Sequence, residues 1–207
     1  MRKFLLALLL CLMLPCLAWA RGISFSEEMH GYAWYGGEYR LAHVYLNVRI
    51  GDIDAWRGNP NHSATVSGTL MMDGVPNQPV TGTLNILSPA PGDDGRLLAY
   101  RLNSAAVQVL GVKHVHDDPG MDLIDDMTTL HAVFAPAGQA LPSVQDVLYQ
   151  AVWTSELHFE WWKPDVVWDF TTSMSTINTA WYDELTVRIL FVETIFSTLA
   201  KVFFPWV

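Results

Sequence analysis

Leu41-Ala42-His43-Val44-Tyr45-Leu46-Asn47-Val48-Arg49-Ile50 is the stretch that decides the fold. Its even positions Ala42, Val44, Leu46, Val48 and Ile50 are apolar, while Arg40, Asn47 and Arg49 mark polar positions around or between them. Successive side chains of a strand point to opposite faces, so this period of two predicts a strand with one face in a core and the other in water. Outward from it, residues 23–35, 62–72, 78–87, 96–103, 105–115 and 127–135 predict further strands. Turn chemistry separates them: Gly58-Asn59-Pro60-Asn61, Asp73-Gly74, the Pro89 to Gly95 stretch and the Asp117 to Gly120 stretch. Short strands at this spacing predict a mainly β domain, an antiparallel sandwich or barrel of about seven to eight strands.

A helical tail, roughly residues 143–207, is expected to cover that sheet. Ser143 with Asp146 three positions on resembles a capping box, which predicts a short helix over 144–151. Residues 153–162 alternate and predict one more strand. In 177–204, Trp181, Leu185, Ile189, Val192, Phe196, Leu199 and Phe203 recur every three or four residues, opposite Glu184, Arg188 and Lys201. This is an amphipathic helix, expected either to pack on the β-domain or to lie flat on a membrane. Arg188, Glu193 and Lys201 leave no uncharged run near the eighteen or so residues that a span requires.

The chain has 207 residues. Arg2 and Lys3, the apolar run from Phe4 to Leu14, and Ala18-Trp19-Ala20 predict a secretory signal over residues 1–20, cleaved before Arg21. The expected product is exported, periplasmic or secreted, and forms one domain over 21–207. Cys11 and Cys16 both lie within the signal, so that domain has no thiol for a disulfide or a metal. Loss of Arg2 and Lys3 leaves ten basic and twenty-one acidic residues, a formal charge of −11. Such a charge disfavours nucleic acid and anionic headgroups as partners, and leaves neutral lipids, apolar small molecules and proteins.

Two groups of residues attract attention as sites. The first runs from Gly111 to Asp126: His114 and His116 share one strand face, and Asp117, Asp118, Asp122, Asp125 and Asp126 follow. Asp117, Asp118 and Asp122, joined by Asp52 and Asp54, offer the hard oxygen ligands that calcium wants. The two imidazoles with Asp118 offer a transition-metal set, and a solvated turn capped by its own aspartates explains the same residues without a metal. The second group is aromatic: Trp153, Phe159, Trp161, Trp162, Trp168 and Trp181, with Phe170 between them. It predicts either a core between sheet and helix or the lining of an apolar ligand cavity. No G-x-S-x-G elbow, glycine-rich nucleotide loop or H-E-x-x-H occurs, and no catalytic residue is assigned.

Several short motifs also occur in order along the chain. They are Phe25-x-Glu27-x-Met29-x-Gly31; Asp52 and Ile53 with Pro60, His62 and Ala64; Tyr100-Arg101-Leu102; and Gly111-x-Lys113 through His116-Asp117-Asp118-Pro119-Gly120-x-Asp122-Leu123 to Thr128-Thr129-Leu130. Together they resemble the C-terminal accessory domain of cholesterol-oxidase-like members of the GMC flavoenzyme family. Ile124 and Met127 depart from that pattern, where tryptophan and threonine are usual. The flavin-binding and catalytic part of such enzymes has no counterpart in this sequence, so no flavin is expected. The resemblance implies a non-catalytic accessory module of lipid- or sterol-acting proteins, binding an apolar ligand or docking on a partner. The alternatives are a metal-dependent hydrolase or calcium-binding domain using the 114–126 segment, and a structural subunit of an envelope assembly.

Overall fold

A computed structural model describes residues 20–117, 123–150 and 152–203. The expected signal segment, Asp118, Asp122 and the Phe204 to Val207 end lie outside these, apart from Ala20. Strands β1 (Gly22–Tyr35) and β2 (Glu38–Ile50) are followed by helix α1 (Ile53–Gly58). Next come β3 (Ser63–Met72), β4 (Val75–Pro89), β5 (Arg96–Asn103) and β6 (Val107–Val115). Helix α2 (Leu123–Thr128), β7 (Thr129–Pro136), α3 (Val144–Tyr149) and β8 (Ser155–His158) continue the chain. It ends in α4 (Pro164–Ser173), β9 (Ser175–Ile177) and α5 (Glu184–Phe203).

Strands β1 to β8 pair antiparallel, each with the next in sequence, and β8 returns to β1 to close the sheet. The fold is therefore an eight-stranded up-and-down barrel, with β9 added on the edge of β1. The β1–β2 hairpin turns on Gly36 and Gly37 with φ of 65° and 90°, the positive values that a two-residue primed turn demands. Close curvature also needs residues without a Cβ. A Cβ on Gly68 would overlap the carbonyl oxygen of Tyr45 on β2, and one on Gly82 that of Arg101 on β5.

Strand β1 holds the barrel shut. One edge pairs with β2 along its whole length, from Ile23 opposite Ile50 to Tyr35 opposite Glu38. Its other edge pairs with β9 at Gly22 to Ser24 and with β8 at His30 to Tyr32. Helix α4 packs against the stretch between, where the Ser26 N–H donates to Ser173 Oγ at 2.8 Å. There the Phe170 ring lies 5.6 Å from Phe25 and 5.6 Å from Phe159.

The core fills the barrel with inward-facing residues, among them Met29, Val44, Leu46, Leu70, Leu84, Leu102, Val109, Leu130 and Leu157. Helix α5 adds Val187 and Phe191, and α1 adds Ile53 and Trp56. Burial of Val187 and Phe191 stabilises the docking of α5 by about 1.5–3 kcal/mol each. A second apolar cluster lies outside the wall, where Leu97, Leu110 and Val112 meet Val147 of α3 and Trp153. The capping box of α3 is present: Ser143 Oγ accepts from the Asp146 N–H at 3.1 Å, and Asp146 Oδ2 from the Ser143 N–H at 2.9 Å.

Three local expectations change. The strand expected over 153–162 shortens to Ser155–His158, and Trp161 and Trp162 sit in the turn after it. The helix expected from residue 177 begins at Glu184, because β9 takes Ser175 to Ile177. Most important, Leu185, Ile189, Val192 and Phe196 do not face the barrel and are exposed; Val187, Phe191, Thr194 and Val202 are buried instead. The helix carries two apolar stripes, and periodicity alone does not say which one the sheet covers.

Candidate functional site

Three residues of the quoted motifs, far apart in sequence, converge inside the barrel. Lys113 Nζ lies 2.6 Å from Glu27 Oε1, and the Tyr100 hydroxyl donates to Glu27 Oε2 at 2.8 Å. Lys113 is 1 % exposed and Glu27 8 %. The ammonium also lies 5.5 Å from the centre of the Tyr100 ring. Burial, with the Glu27 charge beside it, pushes the Tyr100 hydroxyl well above its ordinary range, so it stays a donor. Both carboxylate oxygens are thus engaged, and the three residues form one hydrogen-bonded network within the core. Of the neighbouring motif residues, Phe25 and Met29 are core. Gly31 lets β8 approach, since a Cβ there would overlap the Glu156 carbonyl oxygen.

The outer face of the barrel carries the polar chemistry. His114 of β6, His116 just after it, His131 of β7, His158 of β8, His30 of β1 and His43 of β2 are six of the seven histidines, and all are half-buried. Register brings them together: His30 is opposite His158 on one side and His43 on the other. Each has a carboxylate nearby. His43 Nε2 is 2.6 Å from Glu28 Oε1, and His30 Nε2 is 2.8 Å from Glu160 Oε1. Glu156 serves both His158, at 3.0 Å, and His131, at 3.8 Å. His114 lies 3.2 Å from Asp93 and His116 3.6 Å from Asp126. Burial lowers His131 from its ordinary value, against the pull of Glu156. Burial works against ionised Glu160 too, but its bonds to Lys163 and His30 outweigh that and hold it below the usual range.

A cleft of about 470 Å³ opens beside His30. Tyr32, Tyr39, Leu41, Trp153 and Trp162 form its apolar walls, and His30, His158, Glu156 and Glu160 bring polar groups to it. Such a volume, with mainly apolar walls and a few convergent polar groups, falls within the range of small-molecule sites. Tyr32, Tyr39 and Trp162 are exposed, available as contacts.

The aromatic residues singled out in the sequence therefore divide. Trp153, whose ring is 4.3 Å from His131, and Trp162 line the cleft. Phe159 packs against the core. Trp161, Trp168 and Trp181 are exposed; Trp168 lies on α4, and Trp181 lies beside Tyr182 just before α5.

The oxygen ligands expected for calcium do not assemble among the described residues. Asp52 caps α1, accepting from the Asp54 and Ala55 N–H groups at 3.0 Å each. Asp54 and Asp183 clasp Arg21 at 2.8 and 2.6 Å. Asp117 is exposed, and Asp118 and Asp122 fall outside the described residues. His114 and His116 do share a face, their rings stacked 4.4 Å apart. The His116 N–H donates to Asp126 at 3.1 Å. Thr128 Oγ1 donates to the Ile124 carbonyl at 2.6 Å, and Thr129 Oγ1 lies 3.3 Å from His158 Nδ1.

Sequence reasoning missed His30, His43, His131 and His158, because each stands alone in the chain. One signal was available: His30 and His43 stand equally far from Gly36-Gly37, and a two-residue hairpin must place them opposite each other. No protein-family model, no curated protein and no solved structure matches this chain.

Proposed function

We propose that this chain is an exported, non-catalytic binding module that takes an apolar small molecule bearing one polar group, in the cleft beside His30. The cleft carries this reading: aromatic walls from Tyr32, Tyr39, Trp153 and Trp162 surround polar groups that can orient a hydroxyl or carboxyl. The barrel interior is the less favourable place, since side chains fill it and an ion pair crosses it. The likeness to accessory domains of sterol-acting flavoenzymes supports the same ligand class. Within that likeness, Glu27, Tyr100 and Lys113 act as structural residues, since they are buried and bond to one another.

Titration of the tag-free chain with a sterol and with a long-chain fatty acid, read by tryptophan fluorescence, tests this. Saturable binding is expected, weakened at least tenfold by Trp162→Ala combined with Tyr39→Ala. No saturable change with either probe, or binding indifferent to both substitutions, overturns it.

A second reading, an assembly subunit, is favoured by the spacing on α5. Related by a two-fold axis between Leu190 and Phe191, antiparallel copies would set Leu185 against Phe196 and Ile189 against Val192. The exposed apolar stripe can thus cover its own copy, as a symmetric interface requires. Light scattering on a size-exclusion column separates the readings. A dimer that Ile189→Asp turns into a folded monomer supports this one, and a monomer at about 100 μM removes it.

A further inference from the structure

We propose that Glu28, His30 and His43 form a binding site for a divalent transition metal, with zinc the natural occupant, on the outer face of the β1–β2 hairpin. One ligand atom from each of these residues lies within 4.8 Å of the others. Tetrahedral zinc with bonds near 2.0–2.1 Å sets its ligand atoms about 3.3 Å apart. Closing the difference falls to side-chain rotation, since the strand register sets the three backbone positions.

The backbone explains why these residues meet. His30 and His43 are directly opposed in the antiparallel pair, and their ring centres are 5.5 Å apart. Directly opposed side chains have Cβ atoms about 4.5–5.5 Å apart, which lets two imidazoles share one ion. Glu28 is on the same face two residues before His30, and its Oε1 already lies 2.6 Å from His43 Nε2. That contact shows where the carboxylate points: at the nitrogen it would share with a cation.

Around the three ligands stands a supporting shell. Glu160, 2.8 Å from His30 Nε2 and bonded in turn to Lys163, orients the first imidazole. Tyr45, whose ring centre is 4.2 Å from that of His43, packs against the second. Carboxylates that orient ligand histidines are a regular part of zinc sites. Half-burial of the ligands limits competition from water without closing the entry path.

The ligand chemistry sets the ion class. Two imidazoles and one carboxylate suit zinc, copper or nickel and serve calcium and magnesium poorly, because those hard ions want a shell of oxygens. Three protein ligands also leave one coordination position open, and one of the three, His30, lines the aromatic cleft. The site stands on its own residues and does not depend on what the cleft binds.

Calorimetric titration of the tag-free chain with zinc chloride, with calcium chloride as the contrast, tests the proposal. One equivalent of zinc is expected to bind, with at least tenfold weaker affinity in His43→Ala and in His30→Ala. His114→Ala with His116→Ala, and Trp162→Ala, should leave affinity unchanged, and calcium should give no stoichiometric binding. Circular dichroism checks that each variant is folded. Should either histidine variant unfold, copper bound to the unaltered chain and to Glu28→Gln provides the second readout. Two nitrogen couplings in the copper spectrum, with weaker binding in Glu28→Gln, support the site. Absence of zinc uptake, uptake that survives intact in folded His43→Ala, or loss only in the His114 and His116 variant overturns it. Failure of the sterol or fatty-acid titration with zinc binding intact would sink the cleft reading alone.

Discussion

Lys113→Met is the most informative perturbation of the core. The substitution keeps an unbranched side chain of similar length inside the barrel and removes only the ammonium that sits 2.6 Å from Glu27. Glu27 is then a carboxylate with 9 % side-chain exposure and only the Tyr100 hydroxyl for a partner. Removing one member of a buried ion pair costs about 3–5 kcal/mol, because the desolvated charge left behind loses its compensation. Domains of this kind have total stabilities of about 5–15 kcal/mol, so the loss is a large fraction. With a urea m-value near 2 kcal/mol/M, the unfolding midpoint falls by about 2 M. Replacing both members, Glu27→Met with Lys113→Met, removes the orphaned charge and leaves only the Tyr100 hydroxyl without its acceptor, a cost of about 1–3 kcal/mol. The double variant should therefore be more stable than Lys113→Met alone. Equilibrium urea unfolding followed by tryptophan fluorescence measures all three proteins. A loss below about 1 kcal/mol in Lys113→Met, or a double variant less stable than the single one, would refute the reasoning.

Two more outcomes follow from the same structure. Burial lowers both His62 and His131 below 6.5 in the folded state. The unfolded chain therefore binds more protons, and their contribution to stability is complete above about pH 6.5 and declines as the pH falls through the lowered folded values. Urea midpoints between pH 7.5 and 5 should fall with acidity, and replacing both residues by Gln should flatten that slope; an unchanged slope contradicts the assignment. Gly82→Ala should destabilise the barrel by about 1–3 kcal/mol, since its methyl would overlap the Arg101 carbonyl oxygen. A thermal melt unchanged to within about 1 °C would show that the sheet yields there freely.

Alternation over Leu41 to Ile50 made one face of β2 legible, and similar patterns located every barrel strand. Sandwich and barrel were not distinguishable, because inward and outward positions alternate identically in both; closure depends on β8 returning to β1, a long-range pairing with no local signature. The core ion pair was half visible. Glu27 shares its parity with Ile23, Phe25 and Met29, and Lys113 shares its own with Val107, Val109 and Val115. Two opposite charges on inward faces imply each other as partners, though the motifs alone named them without saying so. The histidine band was hidden for the reason that register is hidden. His114 and His116 are two residues apart and attracted attention, whereas His30, His43, His131 and His158 become neighbours only across strands. Likewise the tryptophans announced a hydrophobic purpose, but Trp168 and Trp181 are exposed and only Trp153 and Trp162 reach the cleft. Which ring meets which depends on the turns and short helices between β7 and α5, where periodicity is weakest.

Photolabelling with a diazirine-bearing sterol and a diazirine-bearing fatty acid, followed by peptide mapping, addresses the binding site most directly. Label on Tyr32, Tyr39 or Trp162 that unlabelled ligand competes away is the outcome this account requires. Competable label confined to the barrel lining at Leu70, Leu84 or Val109, or to the outward stripe of α5, would contradict it.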